Sequence, residues 1–349
     1  MDLKDAISNI KSADHYLIQE GVACDEYIDG LSVVIEKLRC EISDAKLKKV
    51  LRQKLQTDHC DFSEDQFLQS VCELTVMSDY MNRSDCHFVY EPQISPPKDV
   101  DFSVTVNRVR YNVEVKCPSY KEVARKDGEV VVTFANRAPT IDQKKEIYNE
   151  IAQRLGDHAI SIVEDKNLDN TLKDFLYSAQ EKVLKASLRD VNLLVVCCKD
   201  EVDMQLWRGY LFGFNGYFTE TSFIPRRNFN RVDYVLLTNI QNRHYRYFSG
   251  SRIDDRWRLA CSFNLLYPNR FSVRNMAMYS GEKDLEAINK VFPNHNIDFE
   301  SYLKDKGDVP TNESQEAKKL NLGVAFYTDK LKQQGRIFFS KQVIERGVE

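Results

Sequence analysis

"DFSVTVNRVRYNVEVKCPS", residues 101–119, alternates apolar and polar side chains along two short runs. A β-strand sends successive side chains to opposite faces, so the first run sets Phe102, Val104 and Val106 against Asp101, Ser103 and Thr105. In the second, Tyr111, Val113 and Val115 oppose Asn112, Glu114 and Lys116. Glu114 and Lys116, two residues apart, must project together, and a hairpin brings Asp101 alongside them. A face carrying two carboxylates and an ammonium is costly to bury without a purpose.

Outward from this stretch the pattern is that of an α/β sandwich. Upstream, "DFSEDQFLQSVCELTVMSDYMNR" from residue 61 predicts a helix with Ser63 and Gln66 as a capping box and Phe67, Val71, Leu74, Ser78 and Met81 as its packed stripe; Glu73 lies beside that stripe. Two helices, over 2–19 and 31–56, are expected before it, with Gly21 and Gly30 bracketing their connection. Downstream come a third strand at 129–134, a helix over 141–155, a short strand "ISIV" and a helix over 170–187. The continuous apolar runs "VNLLVVCC" and "VDYVLLT" read as strands buried on both faces. Past residue 241 the expectations are a helix ending at Pro293, a polar linker at 307–319 and a terminal strand pair at 322–328 and 335–340. Three parts follow: a helical extension over 1–58, a core over 59–240 and a C-terminal extension over 241–349, suited to binding substrate or a partner.

The chain has 349 residues, 42% of them hydrophobic and 29% charged, which is a globular composition. No apolar run is long enough for a bilayer, and no membrane association is expected. "MDLKDAISNI" lacks the pattern of a secretory or organelle signal, so the expected location is the cytoplasm. Nine cysteines without a CxxC pair read as reduced core thiols rather than a disulfide framework or a zinc site. A net charge of −4 does not advertise nucleic-acid binding, but acidic metal ligands lower the count and a local basic face is compatible with it.

The chemistry of the opening stretch is that of hard divalent ions. Mg²⁺ takes oxygen ligands and accepts few protein carboxylates, leaving positions for water and a substrate phosphate. A lysine beside it orients or helps deprotonate the attacking water, or stabilises charge in the transition state. Glu-x-Lys also occurs at Glu164–Lys166 and Glu316–Lys318, but only Glu114–Lys116 has an upstream aspartate strand and a preceding helix with a carboxylate at its edge.

The pieces "CELTVMSDYM", "KDVDFSV" and "YNVEVKCP" resemble, in order and approximate spacing, the PD-(D/E)xK phosphodiesterases, which share the restriction-endonuclease-like fold. The resemblance covers residues 62–120 well and extends less distinctly to about 240. It implies a mixed sheet flanked by helices, a catalytic Mg²⁺ replaceable by Mn²⁺ on Asp101 and Glu114, Lys116 assisting the nucleophile, and Glu73 supporting metal or water. Lys98 and Asp99 stand where the family has Pro-Asp, which makes Asp99 the alternative to Asp101. The family's core helix often adds one polar group, for which "SAQEKVLK" offers Gln180 and Lys182.

Between Arg226 and Arg258 there are eight arginines against three aspartates, interleaved with aromatic residues. Guanidinium groups clamp phosphates, so Arg226, Arg227, Arg243 and Arg246 are the candidate nucleic-acid track. The expected function is a metal-dependent nuclease, acting on DNA ahead of RNA by analogy with relatives of this kind, in a prokaryotic restriction or antiviral setting; a homo-oligomer or a protein partner is left open. The alternative is a silent nuclease-like module that binds nucleic acid or a protein without cutting.

Overall fold

The computed structural model describes residues 2–119, 129–133, 146, 149–150, 153–154, 161–165, 168–199, 201–213, 215–245, 256–278 and 282–295. The helix expected over 141–155 is described only at 146, 149–150 and 153–154, where it is helical. The linker at 307–319 and the terminal strand pair lie outside the described residues.

Residues 2–54 fold as helices joined by turns, with boundaries that differ from expectation. α1 (Leu3–Ser8) stops early, α2 spans Val22–Arg39, and α3 (Asp44–Lys49) runs directly into a π-turn over Val50–Lys54. Gly21, with φ of 125°, does end a connection, but Gly30 lies inside α2. A Cβ at Gly30 would stand 2.3 Å from Cδ1 of Trp257, so this glycine admits the indole ring and marks no break. α4 follows over Glu64–Ser78. Ser63 is its N-cap residue without a side-chain cap, so the capping box does not form. Gln56 takes over: its amide donates to the Ser63 carbonyl at 2.7 Å and accepts the Ser63 N–H at 2.8 Å.

β1 (His87–Tyr90), β2 (Phe102–Val106) and β3 (Val109–Lys116) form an antiparallel meander. β4 (Glu129–Thr133) is not the third strand of that meander; it pairs in parallel with β5 (Ser161–Asp165) in a separate two-stranded sheet. The place beside β3 belongs to β6 (Val191–Cys197), which arrives in parallel after α5 (Leu168–Lys182). Every residue of β6 is buried, as its unbroken apolar run requires of an interior strand. After α6 (Glu201–Phe212), β7 (Tyr234–Thr238) adds in parallel, α7 spans Ile240–His244, and β8 (Asn264–Pro268) closes the far edge in antiparallel sense. The result is a mixed six-stranded sheet, in the order β1-β2-β3-β6-β7-β8, flanked by helices. α8 (Val273–Met278) and α9 (Glu282–Asn289) complete the described elements.

The two faces of the sheet carry separate cores. Phe102, Val104, Val113, Val115, Val195 and Leu236 pack with Leu31, Ile35, Leu51 and Phe67 of the N-terminal helices and α4. Trp257, Leu266 and Phe292 join the same cluster, so one core crosses the boundaries expected at 58 and 240. Leu194, Val196, Val235 and Leu237 bury the opposite face with Leu172, Leu176 and Trp207. All nine cysteines are free thiols, with Cys197 and Cys198 buried. No helix among the described residues is long and apolar enough to cross a membrane.

Candidate functional site

The opening stretch forms the hairpin read from its alternation. Phe102 pairs with Val113, so Asp101 stands just before the first rung, across from Glu114. Where β2 has not yet begun, the Asp101 carboxylate substitutes for it: Oδ2 accepts the Val115 N–H at 2.6 Å. The Asp101 carbonyl accepts the Glu91 N–H at 3.0 Å.

Glu114 is 2% exposed and is held by two ammoniums. Its Oε1 lies 2.6 Å from Nζ of Lys116 and 2.7 Å from Nζ of Lys182, the last residue of α5, and Lys182 also donates to Oε2 at 2.9 Å. From the other layer, α4 contributes Glu73, itself buried. Its Oε2 pairs with Lys54 at 3.0 Å, and Lys54 reaches on to Oε1 of Glu91 at 3.2 Å. Gln69, one turn before Glu73, donates to Glu73 Oε1 at 2.7 Å and to the Val115 carbonyl at 3.0 Å, while accepting the Cys117 N–H at 2.6 Å. One amide therefore ties the Glu73 carboxylate to the backbone of the strand that carries Glu114 and Lys116.

The electrostatics follow from crowding. Burial, followed by the charges of Glu73 and Glu114, pushes the Asp101 carboxyl well above the usual carboxylate range against the opposing pull of Lys182 and Lys116. Burial works to lower the Lys116 ammonium, but Glu114, Asp101 and Glu73 together hold it above its ordinary value. Lys54 is likewise raised, with burial opposed and outweighed by Glu73, Tyr90 and Asp101. Lys116 is thus an ammonium near neutrality. It acts as a donor and a positive charge, not as a free base.

Among the described residues, no three His, Cys, Asp or Glu side chains are grouped closely enough to hold a metal ion as they stand. The donor chemistry nevertheless suits one. Oε1 of Glu114 is buried with no hydrogen-bond donor aligned on it, because Lys116 and Lys182 approach at ion-pair distance but off the bonding direction. Asp101 is an anion disfavoured by two neighbouring carboxylates. A hard divalent cation relieves both conditions, and the three acids offer only oxygen.

The remaining candidates separate. Lys182 belongs to the cluster; Gln180 does not, since its amide donates to the Arg227 carbonyl and to Asn230 and accepts the Arg231 N–H, clamping the 227–231 loop onto α5. Asp99 is half-buried and precedes β2, with no hydrogen bond or ion pair among the described residues. Of the arginine track, Arg243 is buried at 4% exposure and donates to the Arg258 carbonyl and Ser262 Oγ, which makes it a structural tie and removes it from any phosphate surface. Arg226 donates to the carbonyls of Thr219 and Glu220 and lies over the Phe271 ring. Arg227 is exposed. Arg246 lies outside the described residues.

Sequence reading missed Lys54, Gln69 and Glu91. Lys54 and Gln69 sit on helices among many polar residues, and only the fold reveals that they meet β3 and Glu73. Glu91 carried one signal, its place directly after the strand-like "HFVY"; its φ of 46° is unusual for glutamate. No family model matches the chain, no curated protein matches it, and no solved structure matches it.

Proposed function

We propose that this chain is a divalent-metal-dependent phosphodiesterase that cuts nucleic acid, DNA ahead of RNA, on a restriction-endonuclease-like core of the PD-(D/E)xK kind. One observation carries the reading: Asp101 and Glu114 stand across from each other at the end of the β2–β3 hairpin, with Lys116 on Glu114 and Glu73 near enough to perturb Asp101. The cluster lies at the carboxyl end of parallel strands β3 and β6, where ligands commonly bind in α/β sheets.

Asp101 and Glu114 would hold Mg²⁺, or Mn²⁺ in its place, with Glu73 in support. Bound there, the ion supplies Lewis-acid charge for phosphate oxygens and lowers the pKa of a bound water. The chain's own residues supply orientation and countercharge. The Val115 N–H fixes the Asp101 carboxylate before any ligand arrives, and Gln69 fixes Glu73. Lys116, kept protonated by the surrounding carboxylates, donates to the attacking water or to a phosphate oxygen as negative charge builds. Lys182 balances Glu114 from the opposite side.

A second reading, a nuclease-like module that binds without cutting, is favoured by one specific observation: Glu114 already has two ammoniums against it. Incubation with linear, circular and single-stranded DNA and with RNA, in Mg²⁺, Mn²⁺ or chelator, separates the two. Cleavage that needs the metal and disappears in Asp101→Asn supports the phosphodiesterase. Folded wild-type protein that cuts none of these substrates with either metal contradicts it and leaves the binding module.

A further inference from the structure

A strand of nucleic acid approaching four crowded carboxylates is repelled unless cations lie beside its path, and two of the four candidate arginines are not free to serve. Arg243 is buried and Arg226 is committed to carbonyls and to Phe271. The described structure has another basic surface. In α3, Lys46 and Lys49 are three residues apart, which puts them on one flank of the helix, and both are exposed. Neither forms an ion pair among the described residues. Nζ of Lys46 lies 5.4 Å from the centroid of the Tyr90 ring. Nζ of Lys54 lies at the same distance, 5.4 Å, from that ring and then continues to Glu73 and Glu91. Lys49 is near enough to Glu91 to help hold its carboxyl below the usual range, after the opposing effect of burial and the larger pull of Lys54. Lys46, Lys49 and Lys54 therefore form a continuous row ending at the acidic cluster. The other flank of the helix is different: Lys48 lines a groove with Asp2, Asp5, Asp44 and Arg39, where three carboxylates outnumber the two cations.

We propose that the α3 flank bearing Lys46 and Lys49 is the phosphate track by which a nucleic-acid strand reaches the carboxylate cluster, an inference that rests on the phosphodiesterase reading of that cluster. Tyr90 is buried, so it supports the lysine stems and is no platform for a base. The contact is with the backbone and carries no sequence preference, because lysine ammoniums on flexible stems read charge and not base edges. Lys54 is the innermost cation of the row, and its bonds to Glu73 and Glu91 anchor the track to the site.

The test is binding of a short fluorescent DNA duplex, a single strand and an RNA by the full-length Glu114→Gln protein, followed by anisotropy across a series of salt concentrations. Lys46→Gln with Lys49→Gln should weaken binding about tenfold or more at low salt. It should also flatten the plot of log K against log salt, by about 1.8 for the duplex and about 1.4 for a single strand, the counterions released by two phosphate contacts. Lys48→Gln with Arg52→Gln should change little, since Arg52 is exposed and, four residues after Lys48 in the same helical run, shares its flank. An unchanged slope in the first pair, or an equal loss in the second, overturns the track while leaving the site reading intact. A parent that binds none of the three nucleic acids overturns both. The substituted side chains are exposed, so the fold is expected to persist, and circular dichroism checks it.

Discussion

Oδ2 of Asp101 lies 2.6 Å from the backbone nitrogen of Val115. Alternate residues of β3 point their N–H groups at β2, and Val115 is the one left over where β2 has not started. Asp101 therefore does two things, completing the ladder and presenting charge beside Glu114, and two substitutions separate them. Asp101→Asn keeps an acceptor for Val115 and removes an anion that burial, Glu73 and Glu114 disfavour, so its melting temperature should equal or exceed wild type while metal-dependent cleavage is lost. Asp101→Ala leaves a buried N–H unpaired and should cost about 1–3 kcal/mol as well as activity. Thermal melts of the two variants check the pair; equal destabilisation refutes the ladder role.

Lys116 and Lys182 share one oxygen of Glu114 but differ in what they should do. Lys116→Met should lower the single-turnover rate by roughly 100-fold or more, the scale of losing a transition-state donor, with little change in substrate Kd. Lys182→Met removes a cation that competes with metal for Glu114, so calorimetry should show tighter Mg²⁺ binding. Weaker binding would mean that Lys182 organises the site.

Asp233 supplies a pH dependence away from the chemistry. Burial pushes its carboxyl up to about 6, against the lowering effect of its bonds from Ser272 and the Asn192 N–H. Between the ordinary aspartate value near 4 and the folded value, the native chain binds more protons than the unfolded one, so this group's contribution favours the fold at low pH and is lost as pH rises through 6. The difference is on the order of 3 kcal/mol. Urea unfolding of wild type and Asp233→Asn from pH 4 to 7 should show the variant lacking that component of the slope; parallel curves would contradict it.

Arg243 and Gln180 should behave as structural residues. Arg243→Ala removes a buried guanidinium bonded to the Arg258 carbonyl and Ser262, and should cost roughly 2 kcal/mol of stability. Gln180→Ala frees the 227–231 loop with a similar loss. In protein that remains folded, neither should alter Mg²⁺ affinity. A selective loss of metal binding in Gln180→Ala would place it in the site.

What the sequence showed depended on how locally each feature is encoded. Glu114 and Lys116 were legible because a strand's two-residue period puts them on one face, and β6 and β7 because an interior strand needs a run that is apolar on both sides. Asp101 needed only the adjacent strand. Lys182 was one of two candidates on the same helix, and only the packing of α5 decides that it, and not Gln180, meets Glu114. Lys54, Gln69 and Glu91 depend on contacts between distant segments, which no local pattern records. β4 was legible as a strand because "EVVVT" has strand character regardless of its partner; that its partner is β5, while β6 holds the position beside β3, was not. β1 and β8 are short edge strands, and β8 ends in a proline, so their patterns were too brief to stand out.

The central claim is that Asp101 and Glu114 form a metal-dependent hydrolytic site, and the most direct measurement is single-turnover cleavage of labelled DNA by wild type and Glu114→Gln across a Mg²⁺ titration. The account predicts a wild-type rate that saturates with Mg²⁺ and a Glu114→Gln protein that stays folded and binds the same DNA but does not cut it at any metal concentration. Cleavage by Glu114→Gln at the wild-type rate, or cleavage by wild type undiminished in chelator, would contradict it.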